Sequence, residues 1–448
     1  MNKKPVETIM GIVVLIVAIL FLFFAYRVSD LQVVKGYELS AKFLKVGGIS
    51  VGSDVRINGI KVGTVIGQKL NAADYMVDLT FSIASDIKLP TDSEVAIVGD
   101  GLMGNKFIKI EDILDNFLPE LESLSNIDDW QTLNFGALPQ GVEIKHFNQL
   151  VNPCRNLMKL GGKRWRPLFM VLCAELIKNS EDVDLAYKLT PLVELVHTAS
   201  LIHDDIEDGA DERRGQPATH LTWGIDTAIN SASWLYFSAY SVIEKEVKDV
   251  QLKNEFYKML SIQLRRLHLG QAMDIFWHRN PNEIPSKESY SAMVRMKTGT
   301  LASLSAQAGI IAGGGTFEQA EVLGKIASEI GEGFQVLDDV INITTGNKGK
   351  KRGDDIIEGK KSLPIILHLQ KNPDDKETII KNFEVASQEG IESSAIENTI
   401  QMLESSGAIT EAKIYASKMI DNSCKKINVL YNNSNASLAI ENLFTSLL

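Results

Sequence analysis

The chain has 448 residues, 45% of them hydrophobic and 23% charged, with a formal net charge of −11 at pH 7. It is too long for one ordinary domain and too apolar for a disordered chain, and its negative charge argues against nucleic acid as a partner. The three cysteines, Cys154, Cys173 and Cys424, are too few and too far apart for a zinc pattern or a disulfide framework, and they read as core thiols.

The first element, Ile9–Tyr26, runs without a charge and is just long enough to span the hydrocarbon core. No small-residue cleavage site follows it around Phe24–Val28, so residues 1–30 are expected to be an uncleaved, single-pass membrane anchor. Lys3 and Lys4 precede it while Arg27, Lys35, Lys42 and Lys45 follow, which leaves its orientation open. Residues 36–112 alternate Val, Ile, Thr and Phe with polar residues and are punctuated by Gly47, Gly48, Gly52, Gly59 and Gly63. Short strands and tight turns predict a small all-β module with no titratable cluster. The anchor, the stretch from Gly47 to Val65, and Val98-Gly-Asp-Gly-Leu-Met-Gly104-Asn-Lys-Phe-Ile-Lys-Ile110 together resemble the MCE/MlaD subunits of bacterial lipid-transport systems. That resemblance implies a β-barrel over residues 31–114, tethered to the inner membrane, facing the periplasm, contacting membrane lipid and assembling as a ring around a lipid channel.

From residues 112–120 onward the pattern turns helical and stays so to Leu448, predicting one large all-α domain over 115–448. The run Leu192–Ile202 is apolar nearly all round the helical wheel and reads as buried. Asp204, Asp205, Glu207 and Asp208 follow in its last turn, where the helix dipole favours cations rather than anions. Asp204 and Asp208 share a face, with Asp205 about 100° round the wheel. Such a face suits a hard cation taking oxygen ligands, Mg²⁺ above all; the alternative is a solvated acidic helix end. His197 lies two turns before Asp204 on nearly the same face and reads as a phosphate donor, with a satisfied core histidine as the alternative. Arg213 and Arg214 follow. Upstream, Gly161-Gly-Lys163-Arg-Trp-Arg166-Pro167 combines glycines that let backbone N–H groups approach an anion with side chains that pair with phosphate. Downstream come Leu269-Gly-Gln271-Ala-Met-Asp274, then Lys297-Thr298-Gly299, then a second acidic helix with Gln335, Asp338, Asp339 and Asn342, and a glycine-hinged basic loop with Lys350 and Lys360. Two acidic faces and several basic loops fit metal ions bridging one diphosphate while a second is held by arginine and lysine.

In order and spacing, GGKRWRP, DDIED with RRGQP, GQAMD, KTGTL, FQVLDD and GKKRGDDIIEGK resemble the all-trans polyprenyl diphosphate synthases over nearly all of 115–448. The resemblance implies an all-α isoprenoid-synthase bundle around a deep cavity, usually a homodimer. It implies condensation of an allylic prenyl diphosphate with isopentenyl diphosphate, releasing diphosphate. Lys163, Arg166, His197 and Arg214 would hold isopentenyl diphosphate; Arg213, Lys297, Thr298, Gln335, Lys350 and Lys360 would hold the allylic diphosphate. Asp204, Asp208 and Asp338 would bind Mg²⁺, with Asp205 and Asp339 in support, and these five carboxylates form the catalytic set. Neutralising the departing diphosphate in a water-poor site is the chemistry such residues supply.

Asn342 stands where most members carry Asp, and its amide can ligate or hydrogen-bond. This variant, together with Asp274-Ile-Phe-Trp277 and Ile229-Asn-Ser-Ala-Ser233, looks most like geranylgeranyl diphosphate synthases. Ala199 and Ser200 are small, so the floor of the product pocket is expected at Trp234 or Tyr236, giving a product of twenty carbons or longer. A terpene cyclase is the rival enzyme, but its Asn-Ser-Glu motif is absent from Asp338–Asn342; the other rival is a lipid-transport subunit with an inactive synthase-like domain. The full expectation is thus multidomain: anchor, MCE-like β-barrel, all-α synthase, held at the inner membrane. The periplasmic β module and the cytoplasmic substrates of such synthases conflict, so the side on which the synthase lies stays open.

Overall fold

The computed structural model of the chain describes residues 36–43, 51–57, 60–70, 77–85, 87, 104–124, 126–178, 183–346 and 351–446. The chain divides between Ile108 and Lys109 into two compact units.

In the small unit, β1 (Gly36–Phe43), β2 (Asp54–Ile57), β3 (Ile60–Leu70) and β4 (Val77–Ala84) form an antiparallel sheet in the order β1-β4-β3-β2. Gly36 of β1 faces Ala84 of β4, and Gly63 of β3 faces Ile83. Period-two alternation puts Leu79, Phe81 and Ile83 of β4 on one face, where Val65 of β3 joins them in a buried core. Tyr37 packs on that core, and its hydroxyl donates to the Ile87 carbonyl at 2.9 Å.

The expected membrane-spanning helix is corrected here. Among the described residues no helix is long and apolar enough to cross a membrane. The long helices carry charge instead: Val250–Arg279 has the length but holds Lys253, Glu255, Lys258, Arg265 and Arg266. Ile9–Tyr26, on which that expectation rested, lies outside the described residues. The fold supported is a small β unit with a large all-α unit, and the single-pass, inner-membrane localisation drawn from that stretch is not supported.

The helix Gly104–Phe117 begins within the glycine-punctuated stretch that the sequence assigns to the β module. Ile110, Leu114 and Phe117, at i, i+4 and i+7, are buried, which is the spacing of a core-facing helix. The principal helices that follow are α1 (Ile144–Lys159), α2 (Trp165–Lys178), α3 (Thr190–Glu207), α4 (Ile225–Glu246), α5 (Val250–Arg279), α6 (Lys287–Ala312), α7 (Phe317–Thr344), α8 (Leu363–Lys371), α9 (Ala408–Leu430) and α10 (Asn435–Thr445). The centre of the bundle is α6, which packs on α2, α3, α5 and α7 and is buried almost continuously from Gly299 to Ala312. Small residues let its neighbours come close. A Cβ added at Gly331 of α7 would stand 2.7 Å from the Cα of Gly299, and one added at Gly309 would stand 2.2 Å from the Met170 carbonyl oxygen of α2.

The α6–α7 contact sets the spacing of the two helices that carry Lys297 and Asp338. Gly331→Ala should therefore cost about 1–3 kcal/mol of stability through overpacking, read as a lower denaturation midpoint. An unchanged midpoint would mean the helices separate without cost.

Candidate functional site

Around the C-terminal end of α3 the large unit encloses a cavity of about 430 Å³. Its walls come from the start of α2, the last two turns of α3, the middle of α4, the second half of α5, the first half of α6, the end of α7 and the segment before α8. The lining combines charged residues, Asp204, Arg213, Asp274, Lys297, Asp338 and Lys360, with apolar and aromatic ones, Leu201, Tyr236, Leu267, Met293, Val294 and Leu301.

Lys297 Nζ lies 2.9 Å from Asp204 Oδ1 and 2.8 Å from Asp274 Oδ2, joining α6 to α3 and α5. Gln271 donates to Asp204 at 3.1 Å and to Glu207 at 2.5 Å. Lys360 Nζ sits 3.2 Å from Asp208 and 3.7 Å from Asp355, and it also pairs with Glu358. Burial alone would raise the Asp204 carboxyl, yet Lys297, Lys360 and Arg213 hold it well below the usual carboxylate range. The same pairing outweighs the desolvation of Lys297 and keeps it more firmly protonated than an ordinary lysine. Asp205 points to the other side of α3, fully buried, and both Nε and Nη2 of Arg213 donate to its Oδ1, the former at 2.8 Å.

On α7, Asp338 is exposed to the cavity while Asp339 is buried. Tyr290 donates to Asp339 at 2.6 Å and Gln335 donates to it at 3.0 Å; Thr298 in turn donates to Gln335 Oε1 at 2.8 Å. Burial first, and then the neighbouring Asp355 carboxylate, push the Asp339 carboxyl up to about 7. Asn342 is turned away from any ligand role. It is buried, and its Oδ1 accepts the backbone N–H of Asp355 at 3.1 Å.

The glycine loop ahead of α2 uses left-handed backbone at Gly161, with φ +76. A side chain at Gly162 would meet the Arg214 guanidinium at 3.0 Å, and Arg214 also donates to the Leu157 carbonyl at 3.1 Å. Arg166 Nη1 lies 3.4 Å from His197 Nε2, and Arg166 Nε is buried without a hydrogen-bond partner among the described residues. Burial pushes the Arg166 guanidinium down to about 10. Burial, then the surrounding arginines, holds His197 well below its ordinary value, so it is a neutral imidazole near pH 7.

Of the residues expected from sequence, Arg166, His197, Asp204, Arg213, Lys297, Thr298, Gln335, Asp338, Asp339 and Lys360 come together on the cavity wall. Asp205 and Asp208 stand behind it, each held by a cation. Lys163 is exposed and, like Arg214, is not part of the wall. Lys350 lies outside the described residues. Sequence reading gave no role to Glu207, Tyr290, Asp355 or Lys361, which also line the cavity. Gln271 and Asp274 lie three apart in a motif already singled out, and that shared helix face was the available signal. Among the described residues, no group of three His, Cys, Asp or Glu side chains is gathered to hold a metal ion unaided.

The family described as polyprenyl synthetase matches residues 147–401, and the MlaD protein family matches residues 35–112. A short chain isoprenyl diphosphate synthase of Methanocaldococcus jannaschii is 34% identical over 58% of this chain and 77% of its own. The geranylgeranyl diphosphate synthase of Methanosarcina mazei is 32% identical over 66% of this chain and 88% of its own. The crystal structure of geranylgeranyl pyrophosphate synthetase from Pyrococcus horikoshii Ot3 superposes with a TM-score of 0.63 at 27% identity, covering 76% of this chain and 94% of that one. With more than half of its length matched in this way, the chain belongs to the polyprenyl synthetase family of prenyltransferases.

Proposed function

We propose that the large unit condenses isopentenyl diphosphate with an allylic diphosphate to give an all-trans polyprenyl diphosphate of twenty carbons or longer, and that the β unit is a lipid-binding module. The observation that carries the reading is a single cavity lined both by paired lysines and carboxylates and by apolar side chains.

In this reading Lys297, Lys360, Arg213, Thr298 and Gln335 grip the allylic diphosphate, with Lys350 the further donor expected from sequence. Preorganised donors of this kind stabilise charge as it develops on a leaving group and need little reorganisation. Arg166 and His197 hold isopentenyl diphosphate, with Lys163 and Arg214 flanking the same glycine loop. The unpartnered Arg166 Nε–H and the neutral imidazole N–H are donors suited to phosphate oxygens. Asp204, Asp208 and Asp338 would hold Mg²⁺, with Asp205 and Asp339 as supports. Asp204 and Asp338 line the cavity, which suits Mg²⁺, because it prefers one or two carboxylates plus substrate phosphates to an all-protein cage. When bound, it would neutralise charge on the departing diphosphate.

The apolar slot bears on product length. Tyr236 closes it, stacked on His203 with ring centroids 5.6 Å apart and tilted on His268 at 5.1 Å. Trp234 is stacked on Phe135 instead and is not on the cavity wall. A homodimer is supported by apolar side chains left exposed, Ile262, Leu269 and Phe276 at heptad spacing on α5 and Ile225, Ile229 and Phe237 on α4.

The whole chain, given labelled isopentenyl diphosphate, farnesyl diphosphate and Mg²⁺, should form a product of twenty carbons or more that chelation abolishes; absence of product with every allylic primer would end this reading. Lys297→Ala should lower kcat by about 10²–10³-fold, the scale of one lost transition-state donor; turnover matching the unaltered chain would exclude it from the allylic site. Tyr236→Ala should shift the product by one or more isoprene units, and an unchanged chain length by mass spectrometry would place the floor elsewhere. Phe237→Asp should convert a sedimenting dimer to monomer, unless association uses another face.

A further inference from the structure

Arg164 is the one arginine of the Gly161–Pro167 loop whose side chain turns inward and away from the cavity. It is 2% exposed, and its backbone has φ +43, a left-handed conformation disfavoured for a residue with a Cβ. Three partners hold it there. Its Nη2 donates to the Met158 carbonyl at 2.6 Å, closing the last turn of α1. Its Nη1 pairs with the buried Glu194 at 2.5 Å, which lies on α3 one turn before His197. Its Nε donates to Glu111 Oε1 at 2.7 Å, on the helix Gly104–Phe117. Arg164 therefore registers the loop against α1, α3 and that helix together, and the loop delivers Arg166 to within 3.4 Å of His197.

From this geometry we infer that Glu111 is a positioning residue for isopentenyl diphosphate, acting through Arg164 on Arg166; the inference rests on the assignment of Arg166 and His197 to that substrate. Glu111 lies outside the segment matched to polyprenyl synthetase, residues 147–401, and inside the one matched to MlaD, residues 35–112. The substrate loop thus depends on chain ahead of the synthase-matched segment, and a cut at residue 115 removes that support. Glu111 is also the partner that can be changed without stranding a charge. Its side chain is 44% exposed, and Glu194 remains to neutralise Arg164, whereas loss of Glu194 would leave a buried guanidinium short of its closest counter-charge.

The test compares Glu111→Ala, Glu111→Gln and Arg166→Ala in the full chain, by calorimetric titration with isopentenyl diphosphate and by steady-state kinetics. Glu111→Ala should weaken isopentenyl diphosphate binding and raise its KM about three- to tenfold, the scale of one ordinary hydrogen bond and fitting for an ion pair whose acid is partly exposed. The KM for the allylic substrate, kcat and the thermal midpoint should stay unchanged, and Glu111→Gln, which keeps an acceptor oxygen, should recover part of the loss. If Arg166→Ala abolishes binding while Glu111→Ala leaves it intact, the positioning role is overturned and the substrate assignment stands. If neither variant alters binding, both are overturned. A fall in the thermal midpoint with both KM values rising together would make Glu111 a structural residue only.

Discussion

The large unit depends on holding negative charge where a helix least favours it. Asp204, Glu207 and Asp208 stand at the C-terminal end of α3, where the helix dipole opposes anions and burial raises the cost further. The arrangement persists because Lys297 arrives from α6 and Lys360 from the segment before α8. Each pairing fixes a helix to α3 as well as neutralising a carboxylate. Asp274 shares Lys297, and Arg213 covers Asp205 on the other side of α3. The electrostatics of the site and the geometry of the bundle are therefore one constraint.

That constraint also bears on the ligand. Lys297, Lys360 and Arg213 are each already engaged with carboxylates, so the charged part of the lining is close to balanced and is not a standing trap for a polyanion. Bringing a diphosphate to it adds negative charge to a partly desolvated surface, which is costly unless further positive charge comes too. On the reading proposed above, Mg²⁺ would supply that positive charge, held by carboxylates together with the ligand's own oxygens.

The parts of this site that were legible in the sequence are those fixed by local geometry. Helical spacing alone puts Asp204 and Asp208 on one face and Asp205 on another, and their separate partners in the structure follow that division. The all-α character beyond residue 120 and the short strands before it were likewise legible from period. Contacts across helices were not. Tyr290 reaches Asp339 from 49 residues away, and Lys297 meets Asp274 across 23; periodicity names the face of a helix but not what stands opposite. Asn342 could ligate or hydrogen-bond on sequence alone, and only the position of the Asp355 N–H decides between them. The helix beginning at Gly104 escaped notice because glycines mark strand turns as readily as helix starts, and its three buried anchors become a pattern only once the body they pack in is known. The uncharged run near the N-terminus shows the reverse limit, since hydropathy describes a segment's composition and no described helix shares it.

A cavity lined by both charged and apolar side chains imposes an asymmetry on the proposed turnover. On that reading the diphosphate end of a bound chain is held by reversible, charge-assisted contacts that water and salt can replace. The hydrocarbon end gains about 0.8 kcal/mol for each methylene removed from water, so every added isoprene unit makes release into water harder. On the proposed reading growth stops where the slot runs out of room and not where the chain loses affinity, and the His203–Tyr236–His268 ring stack would set that limit by its bulk. It follows that departure of a long product is slow into water and faster into anything apolar. On the reading proposed for the β unit, a lipid-binding module on the same chain bears on that last step, and not on the condensation itself.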